Sequence, residues 1–372
     1  MEAIEAAVEK FRKLLTEQCE RAEKMKNPPA QKRADGKIRI GLIDGDGIGP
    51  IIMREAKRVL CELLKEQIAG GRVELKEISG LTIENRLRLG VSVPEDTLAE
   101  IRKCDVLLKG PTETPKGGTL ESANVALRRE LDLFSNVRPV RVKELGIDWT
   151  FFRENTEGEY VLGSSGVEIP GVLAFDFKVI TDEGTRRIAR AAFDFARKNG
   201  KTHVSIVTKA NIMKKTDGKF SEICREVAKD YPEIVAEDYY IDIMCANLLN
   251  GQIRQKFQVF VLPNLYGDII TDEAAQIQGG VGTAGSANVG ARYAMFEAVH
   301  GSAPRLVAEG LGKYSARGSV AACAYRVCQR ERKAFPRPRR SGVPRGMRRL
   351  CRGGKSGGVR RRGVVRSVKE NV

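Results

Sequence analysis

The eight cysteines of this chain include no Cys-x-x-Cys pair. They read as reduced thiols of a cytosolic protein, used mostly for packing. No apolar run approaches the roughly 20 residues that span a bilayer, so no membrane segment is expected. The first residues, MEAIEAAVEKFRKLLTEQ, are acidic from residue 2 and amphipathic, unlike a signal peptide. There are only two histidines. No internal repeat is visible, and no aromatic residue follows Phe335 to stack on a base.

What is present fits a globular protein. The 372 residues are enough for two packed lobes, and 42% hydrophobic with 30% charged side chains is ordinary for such a chain. The net charge of +16 would by itself suggest a polyanionic partner. Its location argues otherwise. Residues 313–372 carry 19 Lys or Arg against two acids, whereas residues 1–312 carry 45 basic and 46 acidic side chains. The whole excess lies in the last 60 residues.

Ile4, Val8, Phe11 and Leu15 recur at helical spacing, which predicts an amphipathic helix over 2–24. KNPPAQKRADGK then breaks structure and reads as a linker. From IRIGLI (38–43), strand-like runs (VELKEI, VLLKG, TFFREN, HVSIVTK, VFVLPN) alternate with helix-like stretches (REAKRVLCELLKEQ, EGTRRIARAAFDFARKN, FSEICREVAKDY). That order predicts an α/β protein with largely parallel pairing.

Several stretches could carry chemistry. LIDGDGIGPII (42–52) runs from a strand through glycines into a helix, but its spacing is G-x-G-x-G followed by Pro50, not the dinucleotide fingerprint G-x-G-x-x-G. It is either a tight structural turn or a ligand loop. ESANVALRRELDLFSNVRPV (121–140) offers Ser122, Asn124, Arg128 and Arg138. Converging arginines clamp carboxylates; otherwise this is a surface helix. FFRENTEGEY adds Arg153 and Tyr160 at a strand end and the loop after it, which is either a functional loop or ordinary turn chemistry. Lys209 and Asn211 follow an apolar strand, at the end where α/β sheets bind ligands; a lysine there is either a tunable base or a solvated side chain. Asp268 and Asp272 lie four apart on one helix face. With Asp242 they either hold a hard divalent cation or complement a helix dipole. His300 precedes Gly301, Ser302, Ala303 and Pro304, a tight loop able to approach a flat ligand such as adenine.

Taken together, these stretches closely resemble the isocitrate and isopropylmalate dehydrogenase family of β-decarboxylating dehydrogenases. GDGIGP (45–50), LKGPTETP (108–115), SANVALRRELDLFSNVRP (122–139), FRENTEGEY (152–160), TKANIMK (208–214), NLYGDIITDEAAQIQGGVGTAGSANVG (264–290) and FEAVHGSAP (296–304) occur in family order. The resemblance implies a two-lobed α/β fold of the isopropylmalate dehydrogenase type, not a Rossmann fold, and an obligate homodimer with shared active sites. It implies a large cofactor-binding lobe (36–133 with 280–314) and a small dimerisation and metal-binding lobe (134–279), preceded by the helix and linker of 1–35. Ser122 and Asn124 match the positions that hold isocitrate's extra carboxylate, so the isocitrate branch is favoured over isopropylmalate, homoisocitrate or tartrate. Arg128, Arg138 and Arg153, with Asn211, match substrate contacts. Tyr160 and Lys209 match the catalytic acid–base pair, with Lys209 entering from the other subunit. Asp268 and Asp272, with Asp242 from the partner, match the Mg²⁺ or Mn²⁺ ligands.

The reaction implied is oxidative decarboxylation of isocitrate to 2-oxoglutarate with a nicotinamide cofactor, a cytoplasmic tricarboxylic acid cycle step. Thr114, Asn288, Glu297 and His300 through Arg305 match the cofactor site. NAD is favoured; NADP is the alternative, because Arg305-Leu306 matches neither the acid of NAD-users nor the Lys-Tyr of many NADP-users. Glu113 is a second departure, where the family carries a small hydroxyl or apolar residue.

The motifs end at about Tyr314. Beyond it Arg, Gly, Pro and Val crowd without periodicity, a composition too poor in apolar surface to offset its ordering entropy. Residues 315–372 therefore read as an aberrant, disordered basic tail of the kind a frameshift in a GC-rich gene produces, leaving the large lobe short of its C-terminal part. The second reading is a basic tail that binds RNA or DNA.

Overall fold

The computed structural model describes residues 2–26, 36–115, 120–162 and 165–308. The linker expected after the first helix and the basic tail of 315–372 lie outside the described residues.

Twelve strands and eleven α-helices follow one another in the described residues. Helix α1 (Glu2–Met25) comes first, then β1 (Ile38–Ile43), α2 (Gly49–Leu63), α3 (Lys65–Ala69), β2 (Val73–Glu77), α4 (Ile83–Leu89), α5 (Glu95–Arg102) and β3 (Val106–Lys109). Helix α6 (Ala123–Glu130) leads to β4 (Ser135–Val142), β5 (Ile147–Glu154), and the short β6 (Val167–Ile169) and β7 (Leu173–Phe175). Then come α7 (Asp182–Lys198), β8 (His203–Thr208), α8 (Thr216–Ala228), β9 (Val235–Tyr240), α9 (Ile241–Leu249), β10 (Val259–Leu262), α10 (Asn264–Ile277), β11 (Gly285–Val289), β12 (Ala294–Ala298) and α11 (Pro304–Ala308).

Ten strands form one sheet in the order β2-β1-β3-β12-β11-β4-β5-β10-β8-β9. Its two ends are parallel, as the alternation predicts. Its middle is not, because β11 runs antiparallel to both β12 and β4, and β4 antiparallel to β5. Strand β4 carries Pro139, which would break a doubly paired strand. It is tolerated because β11 pairs only with residues 135–137, so nothing on that side needs the missing N–H. Every strand-like run named from the sequence is a strand, and each helix-like stretch lies largely in one helix.

Two hydrophobic clusters lie along the 134–277 part of the chain, one built on Phe193, Phe220 and Val261, the other on Trp149, Phe151 and Phe260. A third joins Ile43, Leu107 and Leu127 to Tyr293 and Met295, so the chain returns after 280 to the core it left at 133.

Helix α1 forms as its periodicity predicts, but its apolar stripe is only partly covered. Ile4, Val8, Phe11 and Leu15 stay about half exposed. The face turned to the body is Ala7–Leu14–Gln18–Arg21–Met25. Leu14 is buried, Phe11 reaches Phe177 at 5.2 Å between ring centroids, and the Lys10 ammonium donates to the Gly166 carbonyl.

Candidate active site

Pairing register builds the site. Asn136 on β4 lies opposite Arg153 on β5, and Arg138 lies opposite Phe151. Side chains alternate along a strand, so Asn136, Arg138 and Arg153 share one face. Helix α10 lies on that face and presents Asn264, Asp268, Thr271 and Asp272, three and four residues apart.

The Arg153 guanidinium donates to Asp268 Oδ1 at 2.5 Å and to Asn264 Oδ1 at 3.0 and 2.6 Å. The Arg138 guanidinium donates to Asp268 Oδ1 at 3.1 Å, Asp272 Oδ1 at 3.3 Å, Thr271 Oγ1 at 2.6 Å and Asn136 Oδ1 at 2.8 Å. The Tyr160 hydroxyl donates to Asp268 Oδ2 at 2.9 Å. Gly267 makes room for this. A Cβ there would come within 2.5 Å of Arg153 Cγ, so any side chain would expel the arginine.

Charge separates the two carboxylates. Burial would raise Asp268, but the guanidiniums of Arg153 and Arg138 overcome it and hold its carboxyl below the usual range. Asp272 is pushed up, by burial and by the neighbouring Asp268 charge, against the pull of Arg138. Burial and the Asp268 carboxylate raise the Tyr160 phenol, which keeps it protonated.

Arg128 joins through a buried network. Its Nη2 donates to Glu297 Oε1 at 3.1 Å, and Glu297 Oε2 pairs with the buried Lys109 ammonium at 3.1 Å. Asn288 Nδ2 donates to the same Glu297 carboxylate at 2.8 Å. Asn288 Oδ1 accepts from Asn136 at 2.7 Å, and Asn136 holds Arg138. One chain of hydrogen bonds therefore links Arg128 to Arg138 and, through Asp268, to Arg153. Burial opposes ionisation of Glu297, but Lys109 and Arg128 win and lower it to about 2. Asn288 and Glu297, matched to the cofactor site in the sequence, thus lie buried in this network.

At the start of α6, Ser122 occupies the N-cap position, yet its hydroxyl does not cap the helix. Asn124 Oδ1 accepts from Thr112 Oγ1 at 2.9 Å and stands one turn before Arg128.

The glycine loop crosses two other chain segments closely. A Cβ on Gly45 would meet the Pro111 carbonyl at 2.1 Å, and one on Gly47 the Ser302 carbonyl at 2.2 Å. Both glycines have positive φ. The Ile48 amide donates to the Ser302 carbonyl at 2.9 Å, so this loop buttresses the His300–Pro304 turn. Asp46 is buried and accepts from the Ile83 and Glu113 amides, each at 2.8 Å, and from Arg86. Ser302 Oγ reaches Glu113 Oε2 at 3.4 Å. Among the described residues, the buried His300 Nε2 has no hydrogen-bond partner, a polar atom left over for a ligand. Gly301, Pro304, Arg305 and Thr114 are exposed, and Ala303 takes a φ of 43°.

Lys209 and Asp242 stand apart from the arginine cluster. Lys209 Nζ pairs with Asp242 Oδ2 at 2.7 Å, just past β8 and at the start of α9. Asp217 fixes the turn by accepting from the Lys209 amide at 2.7 Å. Asn211 is exposed. Among the described residues, no group of three or more His, Cys, Asp or Glu side chains converges to hold a metal. One chain thus brings Asp268 and Asp272 together but not Asp242.

Lys109, Asn136, Asn264 and Gly267 are not among the residues singled out from the sequence, although each lies inside a quoted motif. Gly267 precedes Asp268 directly and Asn264 stands four residues before it, and Asn136 lies two residues before Arg138 on the same strand. A lysine ending an apolar strand, as Lys109 does, looks solvated until its partner is seen.

The Isocitrate/isopropylmalate dehydrogenase family model matches residues 39–324. The chain belongs to that family. Family membership makes it an enzyme of the β-decarboxylating dehydrogenase class. It is 41% identical over 281 residues to the probable isocitrate dehydrogenase [NAD] subunit alpha, mitochondrial, of Caenorhabditis elegans, covering 73% of this chain and 74% of that one. It is 40% identical over 280 residues to isocitrate dehydrogenase [NADP] of Rickettsia prowazekii, covering 73% of this chain and 56% of that one. The crystal structure of isocitrate dehydrogenase from Methylococcus capsulatus superposes with a TM-score of 0.67 at 35% identity, covering 80% of this chain and 90% of that one. The fold is the two-lobed α/β fold of this family, with α1 as an N-terminal helical extension.

Proposed function

We propose that this chain oxidises and decarboxylates isocitrate to 2-oxoglutarate. The observation that carries the reading is the convergence of Arg138, Arg153 and Tyr160 on one carboxylate, with Arg128 tied in through Glu297, Asn288 and Asn136. Three linked guanidiniums suit a tricarboxylate, which is strongly hydrated in water and needs several fixed donors to be oriented. Ser122 and Asn124 favour isocitrate over 3-isopropylmalate. An uncommitted hydroxyl and an amide there would be left unpaired by an apolar side chain.

Asp268 and Asp272 offer the hard oxygen donors that Mg²⁺ or Mn²⁺ prefers, so the donor set fits such an ion, with Asp242 of the partner subunit as third carboxylate. The bound ion supplies Lewis acidity toward the substrate oxygens. The cofactor is NAD in this reading, held at His300–Arg305 with Thr114; the orphaned His300 Nε2 supports a ligand there, and NADP is the alternative. Bound there, the nicotinamide would supply the hydride acceptor. Arg128, Arg138 and Arg153 bind and orient the carboxylates. Tyr160 keeps its proton at neutral pH and delivers it to the carbon that has lost CO₂. Lys209, from the partner subunit, assists that transfer.

The homodimer belongs to the same proposal, supported by Lys209 and Asp242 pairing with each other and not with Asp268. So do the assignments of 36–133 with 280–314 to a cofactor lobe and 134–279 to a dimerisation lobe, and a cytoplasmic location. No helix among the described residues is long and apolar enough to cross a membrane. The test compares isocitrate with 3-isopropylmalate, each with Mg²⁺ and either nicotinamide cofactor. Isocitrate-dependent reduction that Ser122→Leu selectively impairs supports the proposal. Preference for 3-isopropylmalate would overturn it.

A further inference from the structure

Helix α1 reaches the active-site loop through a single buried carboxylate. Arg21 sits on its inward face, and its guanidinium is oriented by its own helix: Nε donates to Gln18 Oε1 at 2.8 Å and Nη1 lies 3.8 Å from Met25 Sδ. Nη2 donates to Glu157 Oε1 at 3.0 Å. The Glu157 side chain is only 1% exposed. Its Oε2 accepts from the Thr181 amide at 2.9 Å, and its Oε1 from the Thr181 hydroxyl. It fills the space at the N-terminus of α7, where a Cβ on Gly184 would come within 2.4 Å of the carboxylate.

Glu157 is also part of the loop that joins Arg153 to Tyr160. Its carbonyl accepts from Asn264 Nδ2 at 3.0 Å. Asn264 Oδ1 in turn accepts both Arg153 hydrogen bonds, at 3.0 and 2.6 Å. Next along, Gly158 exchanges hydrogen bonds with Val179 at 2.8 and 3.1 Å, and Tyr160 follows two residues later. Three contacts therefore run from α1 to a substrate arginine: Arg21 to Glu157, Glu157 to Asn264, Asn264 to Arg153. The loop holds a second buried carboxyl group, Glu154, which burial and then the Glu157 charge push up to about 7. Arg187, on α7, reaches the loop through Thr156 Oγ1 at 2.9 Å but also pairs with Asp132. Arg21 is thus the cation placed on Glu157 itself.

We propose that Arg21 is a positioning residue: the N-terminal helix braces the 154–160 loop through Glu157 and so holds Arg153 and Tyr160 in place. This rests on the reading of Arg153 and Tyr160 as substrate and acid groups. With Arg21 removed, the buried Glu157 carboxylate loses its paired cation next to a second buried carboxyl group, and the loop relaxes by moving Glu157 away from α7. The Asn264 contact follows the Glu157 backbone, so Arg153 loses its alignment.

The test is hydrogen exchange on the full chain together with steady-state kinetics. Arg21→Met should make amides of 155–162 exchange at least about tenfold faster. It should lower kcat/KM for isocitrate by between about ten- and a hundredfold, mostly through KM. Arg21→Lys, which keeps the charge, should recover part of both. If Arg21→Met does not fold, Arg21→Gln is measured in its place and read in the same way. The proposal fails if amides of α1 become labile while 155–162 stay protected, because Arg21 then only docks the helix. It also fails if Arg21→Lys behaves as Arg21→Met does. Should the unaltered chain turn over no isocitrate, the assigned reaction fails, and the exchange of 155–162 still decides the role of Arg21.

Discussion

Tyr160 donates its hydroxyl hydrogen to Asp268 Oδ2 at 2.9 Å, while the other oxygen of that carboxylate receives both Arg138 and Arg153. The proposed acid and two of the proposed substrate arginines are thereby held by one side chain. Tyr160→Phe removes the proton donor and leaves the guanidiniums in place. It should lower kcat by roughly 10²–10⁴-fold with little change in KM. A rise in KM at unchanged kcat would make Tyr160 a binding group only.

Arg153→Met leaves Asn264 Oδ1 without its donor and removes one guanidinium from the site. KM for isocitrate should rise at least about tenfold, which corresponds to about 1.4 kcal/mol. Arg153→Lys should restore little, because an ammonium cannot serve Asn264 and Asp268 together as the planar fork does. Equal KM values in the lysine variant and the unaltered chain would contradict this geometry.

Gly47→Ala should destabilise the fold by more than about 2 kcal/mol. Gly47 has φ 58°, and the new Cβ would lie 2.2 Å from the Ser302 carbonyl oxygen. Gly71→Ala is the control: φ is 67° there, but nothing lies within 4 Å. It should cost only the backbone term, about 1–2 kcal/mol. Urea midpoints of the two variants separate strain from collision.

Glu154 is fully buried, and burial first, then the Glu157 charge, push it up to about 7. A free glutamate titrates near 4.3. The folded chain therefore holds this proton more tightly than the unfolded one. Stability falls as pH rises through the interval between these values, and the loss is complete above about 7. Glu154→Gln cannot ionise, so its melting temperature should gain on that of the unaltered chain from pH 5 to pH 8. A constant difference across that range would show that Glu154 titrates normally.

Chelation of divalent cations should stop isocitrate turnover, and Mg²⁺ or Mn²⁺ should restore it. Asp272→Asn should raise the metal concentration needed by at least about tenfold, since ligand charge sets affinity at oxygen sites. Turnover that persists after exhaustive chelation would remove the metal from the proposal.

The sequence by itself determined six of the twelve described strands and the candidates for the site. Alternation of apolar strands with amphipathic helices is a local property, and β1, β3, β8 and β10 are named by it directly. Motifs placed Arg138, Arg153, Tyr160, Asp268 and Asp272 because each lies in a short, dense pattern. Tertiary structure decided what those patterns cannot encode. The antiparallel middle of the sheet depends on pairings between segments far apart in the chain, such as β11 with β4. The glycines of the 45–49 loop meet carbonyls of residues 111 and 302, contacts that no local spacing reveals. Helix periodicity predicted α1 but not its orientation. An apolar stripe marks a face without naming what covers it, and here the more buried face carries Arg21, which pairs with the buried Glu157 carboxylate.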